Sequence, residues 1–343
     1  REGLVQDVPA IPHLDVLENY VRVVSVDSAK LEGSRDASVK AVRDVSLSVG
    51  EEGGGVGDEG NITPSKEGFC EDVTVAIVTF LDRLEGTRDL LERLVQQTCN
   101  GFEVILFVNS ICNEEECGLE FGETPLSHFK DSLRVLLPPQ GTKISVGDAR
   151  NIMIREVKTE YVVLFDDDDI PRGDFVEVMR RAAIMQGADL VTCHAGFVEE
   201  RPSAEEVAAG TVTLDHVSLA GGNTGPAANF HVHHTGKANV LLRTLTAQKL
   251  GPCLPELSIS TSPFVDWGMY TNFILHKAVI AVVPESMYYY KMHSTGSIFY
   301  GSTDFTKYLG AKKIVNEYCR YYNLDTMGCE VLWMAKQLSL KYT

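Results

Sequence analysis

The chain has no uninterrupted apolar stretch of bilayer-spanning length, which argues against a transmembrane helix. It has no arginine- or lysine-rich run. With 31 basic residues against 48 acidic ones and a formal net charge of −17, it should repel a nucleic-acid backbone, so nucleic acid is excluded as a partner. Its eight cysteines (70, 99, 112, 117, 193, 253, 319 and 329) show no tight repeated spacing. Scattered cysteines in a domain of this size favour a reducing compartment. Cys112 and Cys117 flank an acidic segment, where a bridge and two loop thiols are both open readings. No internal repeat is visible. The opening REGLVQDVPAIPHLD lacks a signal-peptide layout, although a chain that opens on Arg1 instead of Met makes this weak evidence on location. The expected location is cytoplasmic, with peripheral membrane contact left open; no basic amphipathic helix supports the latter. The 343 residues, 44% of them hydrophobic, suit one large α/β domain with an appendage, or two modest domains.

What is present is an acidic run at the end of an apolar strand. The segment YVVLFDDDDIP covers Tyr161 to Pro171. Tyr161 to Phe165 reads as a buried central strand, and four aspartates follow at once. Carboxylates packed this closely repel one another. A divalent cation with oxygen ligands is a physical reason to keep them together, and the carboxyl end of a strand in an α/β sheet is where such folds bind ligands. The bland alternative is a solvated acidic turn, but Leu164 and Phe165 lead directly into the acids with no polar segment between.

The chain divides into four parts. Residues 1–49 are valine-rich, with short strands at Tyr20 to Val26 and Val39 to Val49. Residues 50–68 are a Gly/Glu-rich linker or loop. From 69 the pattern turns βαβ: strand Val73 to Phe80, amphipathic helix Thr87 to Thr98, strand Val104 to Val108, short strand Leu133 to Leu137, helix Asp148 to Val157, then the acidic strand. Helix Phe175 to Gln186 and strands Asp189 to Phe197 and Val240 to Arg243 follow, then helix Trp267 to His276 and two strands, Val279 to Val283 and Ser286 to Lys291, around Pro284. This predicts a mostly parallel sheet flanked by helices. Ala220 to His234, rich in Gly, Asn and His, reads as an active-site loop. Residues 301–343 read as a helical extension, with helices over Phe305 to Tyr322 and Val331 to Leu338; tyrosines there fit packing against the core better than a carbohydrate platform.

These motifs form an ordered set: VAIVTF with Leu81-Asp82-Arg83, Asp148-Ala149-Arg150-Asn151, Asp166 to Asp169, Asp266-Trp267, and Tyr290-Lys291-Met292-His293-Ser294. Over roughly residues 72 to 300 the set resembles the GT-A fold glycosyltransferases, and within them the mainly inverting family 2. A lone DxD is weak; the ordered combination is fairly specific. The resemblance implies an α/β GT-A fold over 69–300 with a small N-terminal β-rich extension. It also implies transfer of a sugar from a nucleotide-diphosphate donor, UDP by default, to an acceptor hydroxyl on a glycan, glycolipid or protein. Oligomeric state is not implied.

By the same resemblance, Asp166 and Asp168 match the DxD pair that holds Mn²⁺ or Mg²⁺ against the donor diphosphate, where the metal offsets charge on the leaving group. His293 matches a third metal ligand, better suited to Mn²⁺ than to Mg²⁺, and Lys291 a phosphate contact. Arg150 matches an arginine near the nucleotide, a role its fork geometry suits; a surface salt bridge is the bland reading. Thr79 and Arg83 match the nucleotide end. Asp266 matches the late acidic residue that deprotonates the acceptor hydroxyl, with capping of a helix as a compatible structural role. Two departures stand out. Val265 replaces the usual Glu before Asp266, and Asn109 stands where an aspartate commonly reads the base. Outside the resemblance, His231 and His233 alternate on one strand face, as a zinc pair would, but lack a completing ligand. An acceptor-side loop fits them better, and Asn223, Lys237 and Asn239 fit sugar contacts.

Three competing readings are weighed. A sugar-phosphate nucleotidyltransferase would need a glycine-rich basic loop after the first strand, and only Gly86 is found there. A phosphohydrolase leaves the Arg150 and Asp266 segments without a role. A non-catalytic sugar- or nucleotide-binding protein of the same fold rests on the Val265 and Asn109 departures.

Overall fold

The structure, a computed structural model, describes residues 69–110, 128–129, 132–138, 144–221, 239–251 and 265–291, the backbone of 24–25, and a few positions between 312 and 323. The expected N-terminal unit, the linker and nearly all of the C-terminal extension lie outside the described residues.

The order of elements is β1 (Val24–Ser25), β2 (Val73–Thr79), a 3₁₀ turn (Leu81–Arg83), α1 (Leu84–Val95), β3 (Glu103–Val108), β4 (Leu133–Leu136), α2 (Val146–Glu156), β5 (Tyr161–Asp166) and β6 (Ile170–Pro171). Then come α3 (Phe175–Gln186), β7 (Leu190–Val198), α4 (Ala204–Ala209), β8 (His216–Ser218), β9 (Val240–Arg243), α5 (Thr244–Leu250), α6 (Val265–Leu275) and β10 (Ile280–Lys291).

The sheet runs β1-β10-β7-β9-β5-β2-β3-β4. Most of its pairs are parallel, and β9 runs antiparallel to both neighbours. Strand alternation divides the core in two. Val75, Ile77, Val104, Leu106, Val163 and Phe165 point to the face covered by α1 and α3. Ala76, Val78, Ile105, Phe107, Val162 and Leu164 point to the face covered by α2, α5 and α6. Burial on both faces is why β2 reads as an unbroken apolar run, with every residue buried.

Two features of this topology place the site. Chain order reverses at β2: β3 and β4 add on one side, and β5 returns to the other. The crevice outside the carboxyl ends of β2 and β5 is therefore the topological switch point, where open α/β sheets bind ligands. Secondly, β7 pairs with β9 only at Leu190 and Val191. Beyond that point β7 and β10 continue together, with register shifts in β10 around Ser286. They take β6 on the far edge of β10 and β8 on the free edge of β7. This extension curls beside the switch point.

One expectation is corrected. The two strands foreseen around Pro284 are a single strand. Pro284 is exposed and falls at a register shift, where no ladder N–H is demanded of it. The four described cysteines, Cys70, Cys99, Cys193 and Cys319, are free and buried. Among the described residues no helix is long and apolar enough to cross a membrane.

Candidate active site

The acidic run leaves β5 at the switch point, and its four carboxylates sort by parity. Asp166 and Asp168 stay partly exposed, while Asp167 and Asp169 are buried, each 2% exposed. The buried pair is what holds the turn. Asp167 accepts from Thr79 Oγ1 (3.1 Å) at the end of β2 and from Arg83 Nη1 (3.1 Å) in the 3₁₀ turn. Thr79 also pairs with Thr87 of α1 at 2.5 Å. Asp169 folds back so that its Oδ2 accepts from the backbone N–H of Asp166 (2.6 Å). Asn239, buried just before β9, lies near Asp169, although its Nδ2 makes no hydrogen bond among the described residues.

Burial is the main reason that Asp167 is pushed up to about 7; Arg83 opposes the shift, and Asp168 and Asp166 add to it. Burial likewise raises Asp169 well above the usual carboxylate range, reinforced by the same two neighbours. Burial of Asp167 and Asp169 favours their neutral forms, which eases repulsion within the run, and Arg83 and Arg150 offset charge from outside it.

Each exposed member of the run has an arginine beside it. Arg150 of α2 is 3% exposed, and its Nη2 donates to Asp166 Oδ1 at 2.6 Å. Arg83 Nη1 lies 3.7 Å from Asp168 Oδ2. Arg150 is therefore not a surface residue: it is a buried charge paired with the first aspartate of the run. α2 is aimed by its cap, in which Ser145 Oγ accepts from the N–H of Asp148 (3.0 Å).

Asn109 lies at the expected place, just after β3. It is 1% exposed, its Nδ2 donates to the carbonyl of Ile144 (2.8 Å), and its Oδ1 accepts from the N–H of Ile144 (3.1 Å). The carboxamide clamps the chain that enters α2 against the end of β3. Its geometry is that of a positioning residue for Arg150.

Asp266 lies in the first turn of α6, one residue inside the helix, where a carboxylate is favoured by the helix dipole. Every other residue of α6 is buried, so Asp266 is the single opening of this helix to solvent. It is within electrostatic reach of the same tyrosine as Asp169. Burial raises the hydroxyl of Tyr288 far above its ordinary range, and Cys193, Asp169, Tyr270 and Asp266 add to this. Lys291 ends β10, paired with Val198. Lys237 and His293 lie outside the described residues, as do Asn223, His231 and His233.

Thr79, Arg83, Arg150, Asp166, Asp168 and Asn109 thus converge on one crevice. Sequence reasoning missed Gly86. A Cβ on this α1 residue would sit 2.8 Å from the carbonyl oxygen of Asp167, so only glycine lets the helix pack against the acidic turn. In sequence Gly86 stands just before the expected helix Thr87 to Thr98; the helix in fact begins at Leu84 and includes it.

Among the described residues no group of three His, Cys, Asp or Glu side chains is close enough to hold a metal. Two carboxylates at a switch point are suited to a hard cation, and through it to an anionic ligand rich in oxygen, with two guanidiniums beside them.

Comparison with known proteins agrees with this geometry. Residues 71–247 match the model of the family described as Glycosyltransferase like family 2. No curated protein matches the chain. Among solved structures, residues 1–349 of S. aureus TarS in complex with UDP-GlcNAc superpose with a TM-score of 0.54 at 15% identity, over 78% of this chain and 72% of that one. The same fragment in complex with UDP gives 0.51 at 14% identity, over 77% and 70%. The fold is that of the GT-A glycosyltransferases, a mixed α/β fold with a curled, mostly parallel sheet.

Proposed function

The chain belongs to glycosyltransferase family 2, and from that premise we propose that it moves a sugar from a nucleoside-diphosphate donor to an acceptor hydroxyl with inversion at the anomeric carbon. The observation that carries the reading is the sorting of the acidic run at the switch point, with Asp166 and Asp168 outward and Asp167 and Asp169 turned in.

UDP is the proposed nucleotide, supported by the UDP and UDP-GlcNAc bound to the S. aureus TarS fragment of the same fold. The nucleotide end lies along Thr79, Arg83 and the loop that Asn109 clamps. A divalent cation, Mn²⁺ or Mg²⁺, fits the outward pair. Hard carboxylate oxygens are the ligand type such ions take, and with only two of them the remaining positions fall to diphosphate oxygens, water and, on the family pattern, His293. When bound, the ion supplies charge neutralisation for the departing diphosphate.

The chain's own residues do the rest. Arg150 fixes Asp166 in place, and Arg83 holds Asp167 beside Asp168. Asp266 accepts the proton of the acceptor hydroxyl as that oxygen bonds to the anomeric carbon. The bond from the anomeric carbon to the diphosphate oxygen breaks on the opposite face, and the diphosphate leaves with the electron pair. One base suffices for a single displacement. Lys237 is assigned to the sugar and Lys291 to phosphate.

The test is a calorimetric titration of UDP, GDP, CDP and dTDP, each with and without Mn²⁺, followed by a donor-sugar screen on the nucleotide that binds. Metal-dependent binding of UDP alone is expected, with chelation abolishing turnover. Asp266→Asn should keep UDP affinity and lower kcat by about 10²- to 10⁴-fold, the usual weight of a general base. Unchanged turnover in Asp266→Asn, or full activity in chelator, would overturn the mechanism.

A further inference from the structure

The curled extension of the sheet carries a feature that donor binding and catalysis leave unused. Phe197 of β7, His216 of β8 and Tyr290 of β10 are cross-strand partners on one sheet face. The His216 imidazole stacks on Phe197, with ring centroids 4.3 Å apart and planes at 19°. Tyr290 leans on Phe197 from the other side at 5.2 Å and 52°. His216 is exposed, and the other two rings are half-buried. The row is thus a graded stack, anchored in the core at Tyr290 and open to solvent at His216.

Its place relative to the acids follows from register. Tyr289 pairs with Ile170 antiparallel, so Tyr290 stands beside Asp169 at the end of the acidic run. On the same face, one step deeper, Tyr288 pairs with Ala195 and is the tyrosine that feels both Asp169 and Asp266. The aromatic row therefore begins beside the acidic run. It lies on the β7–β10 side of the acidic run, away from β2 and β3, where the nucleotide end is placed.

The charges around the row select its ligand. Glu199 and Glu200 follow β7, Asp215 precedes His216, and all three are exposed. At the His216 end this acidic rim accepts hydrogen bonds from hydroxyls and repels phosphate, sulfate and carboxylate groups, while Lys291, next to Tyr290, brings a cation to the opposite end of the row.

We propose that His216, braced from behind by Phe197 and Tyr290, is the acceptor platform: its outer ring face stacks on the apolar face of a neutral pyranose whose hydroxyls bond the acidic rim. The acceptor class is then an uncharged saccharide, in place of a bare protein side chain or an anionic polymer. The proposal rests on the glycosyl-transfer reading, because it takes its acceptor from that chemistry.

The probes are methyl β-D-glucopyranoside and methyl β-D-galactopyranoside, with sorbitol as an open-chain control that has hydroxyls but no ring face. Saturation-transfer NMR on the full chain reads their binding, and UDP titration with Mn²⁺ runs in parallel. At least one pyranoside should bind better than sorbitol, with strongest saturation at its axial ring protons. His216→Ala should weaken that binding about two- to tenfold, the range of one ring contact, and leave UDP affinity unchanged. His216→Tyr should restore it. Phe197→Leu, which keeps apolar volume but removes the ring, provides a second variant should His216→Ala fail to fold. Pyranosides that bind no better than sorbitol, or binding indifferent to both variants, would sink the platform even with UDP binding intact. Pyranoside binding without any nucleotide binding would overturn the donor reading and leave the platform standing.

Discussion

At the scale of single residues, the site is a question of which aspartate faces which way. Asp167 is drawn inward because three groups from other elements, Thr79, Arg83 and Thr87, are already joined beneath it. Gly86 is the counterpart on the helix. Glycine to alanine inside an exposed helix ordinarily stabilises by about 1 kcal/mol. Here the added Cβ would meet a backbone carbonyl at 2.8 Å, and backbone cannot rotate away as a flexible side chain can. Overpacking of this kind costs about 1–3 kcal/mol, so the sign should reverse. We expect Gly86→Ala to lower the thermal midpoint and to weaken UDP binding several-fold through the displaced acidic turn. A gain in midpoint with unchanged UDP affinity would show that the turn is not held by α1.

At the scale of elements, a second connection ties α1 down. Asp89 accepts from Arg93 Nε (2.8 Å) on its own helix and from Arg201 Nη2 (2.5 Å) in the segment after β7, while Arg93 Nη2 donates to the carbonyl of Pro202 (2.9 Å). Burial acts to raise the pKa of Asp89, but the hydrogen bonds and charges of the two arginines outweigh it and leave it depressed. A depressed folded value means that the stabilisation is complete above the unfolded carboxylate value of about 3.9 and fades as pH falls through the folded value beneath it. Asp89→Asn should therefore cost on the order of 1 kcal/mol at neutral pH, a figure already discounted because its side chain is 35% exposed. The deficit should narrow below pH about 4, as paired denaturation curves at pH 7 and pH 3 would reveal. A deficit that persists at pH 3 would assign the loss to packing and not to the ion pairs.

The same pair explains what sequence could and could not convey. β2, β3, β5 and α3 were legible within a residue or two, because each carries its own period: continuous apolar runs for strands buried on both faces, a 3.6-residue stripe for the helix. The acidic run was legible as a candidate site because four adjacent carboxylates follow an apolar strand with no polar segment between. The pairs Asp89–Arg201 and Asn109–Ile144 carry no local pattern, since their partners meet only after the sheet has formed. The unity of β10 was hidden for the opposite reason. Pro284 gives a strong local breaking signal, and the parallel ladder to β7 overrides it by a register shift. The short helices α4 and α5 were too brief for periodicity to register, although Ser203 and Glu206 form a capping box visible in sequence order.

At the scale of the whole molecule, the sheet joins two functions. The proposed nucleotide end is built on β2, β3 and β5, and the proposed acceptor platform on β7, β8 and β10. These halves share one hydrogen-bonded sheet, with β9 as the bridge. Both also share one core beneath α1 and α3, which contains Ile77 and Phe165 from the first half and Cys193, Val283 and Tyr288 from the second. A molecule built this way should unfold as one unit across the sheet. A ligand at 100 times its Kd stabilises the folded state by about 2.7 kcal/mol, close to a hundredfold in an equilibrium constant. Saturating UDP with Mn²⁺ should then slow amide exchange about a hundredfold, not only in β2 and β5 but also at the buried amides of β7 and β10, which touch no nucleotide in the proposed arrangement. Hydrogen-exchange mass spectrometry resolves these strands. Protection confined to β2, β3 and β5 would mean that β9 is a weak joint, and that the two ends of the sheet open independently. Protection spread over β7 and β10 would mean that donor binding also firms the surface that presents the acceptor, which couples the two substrates without any moving lid.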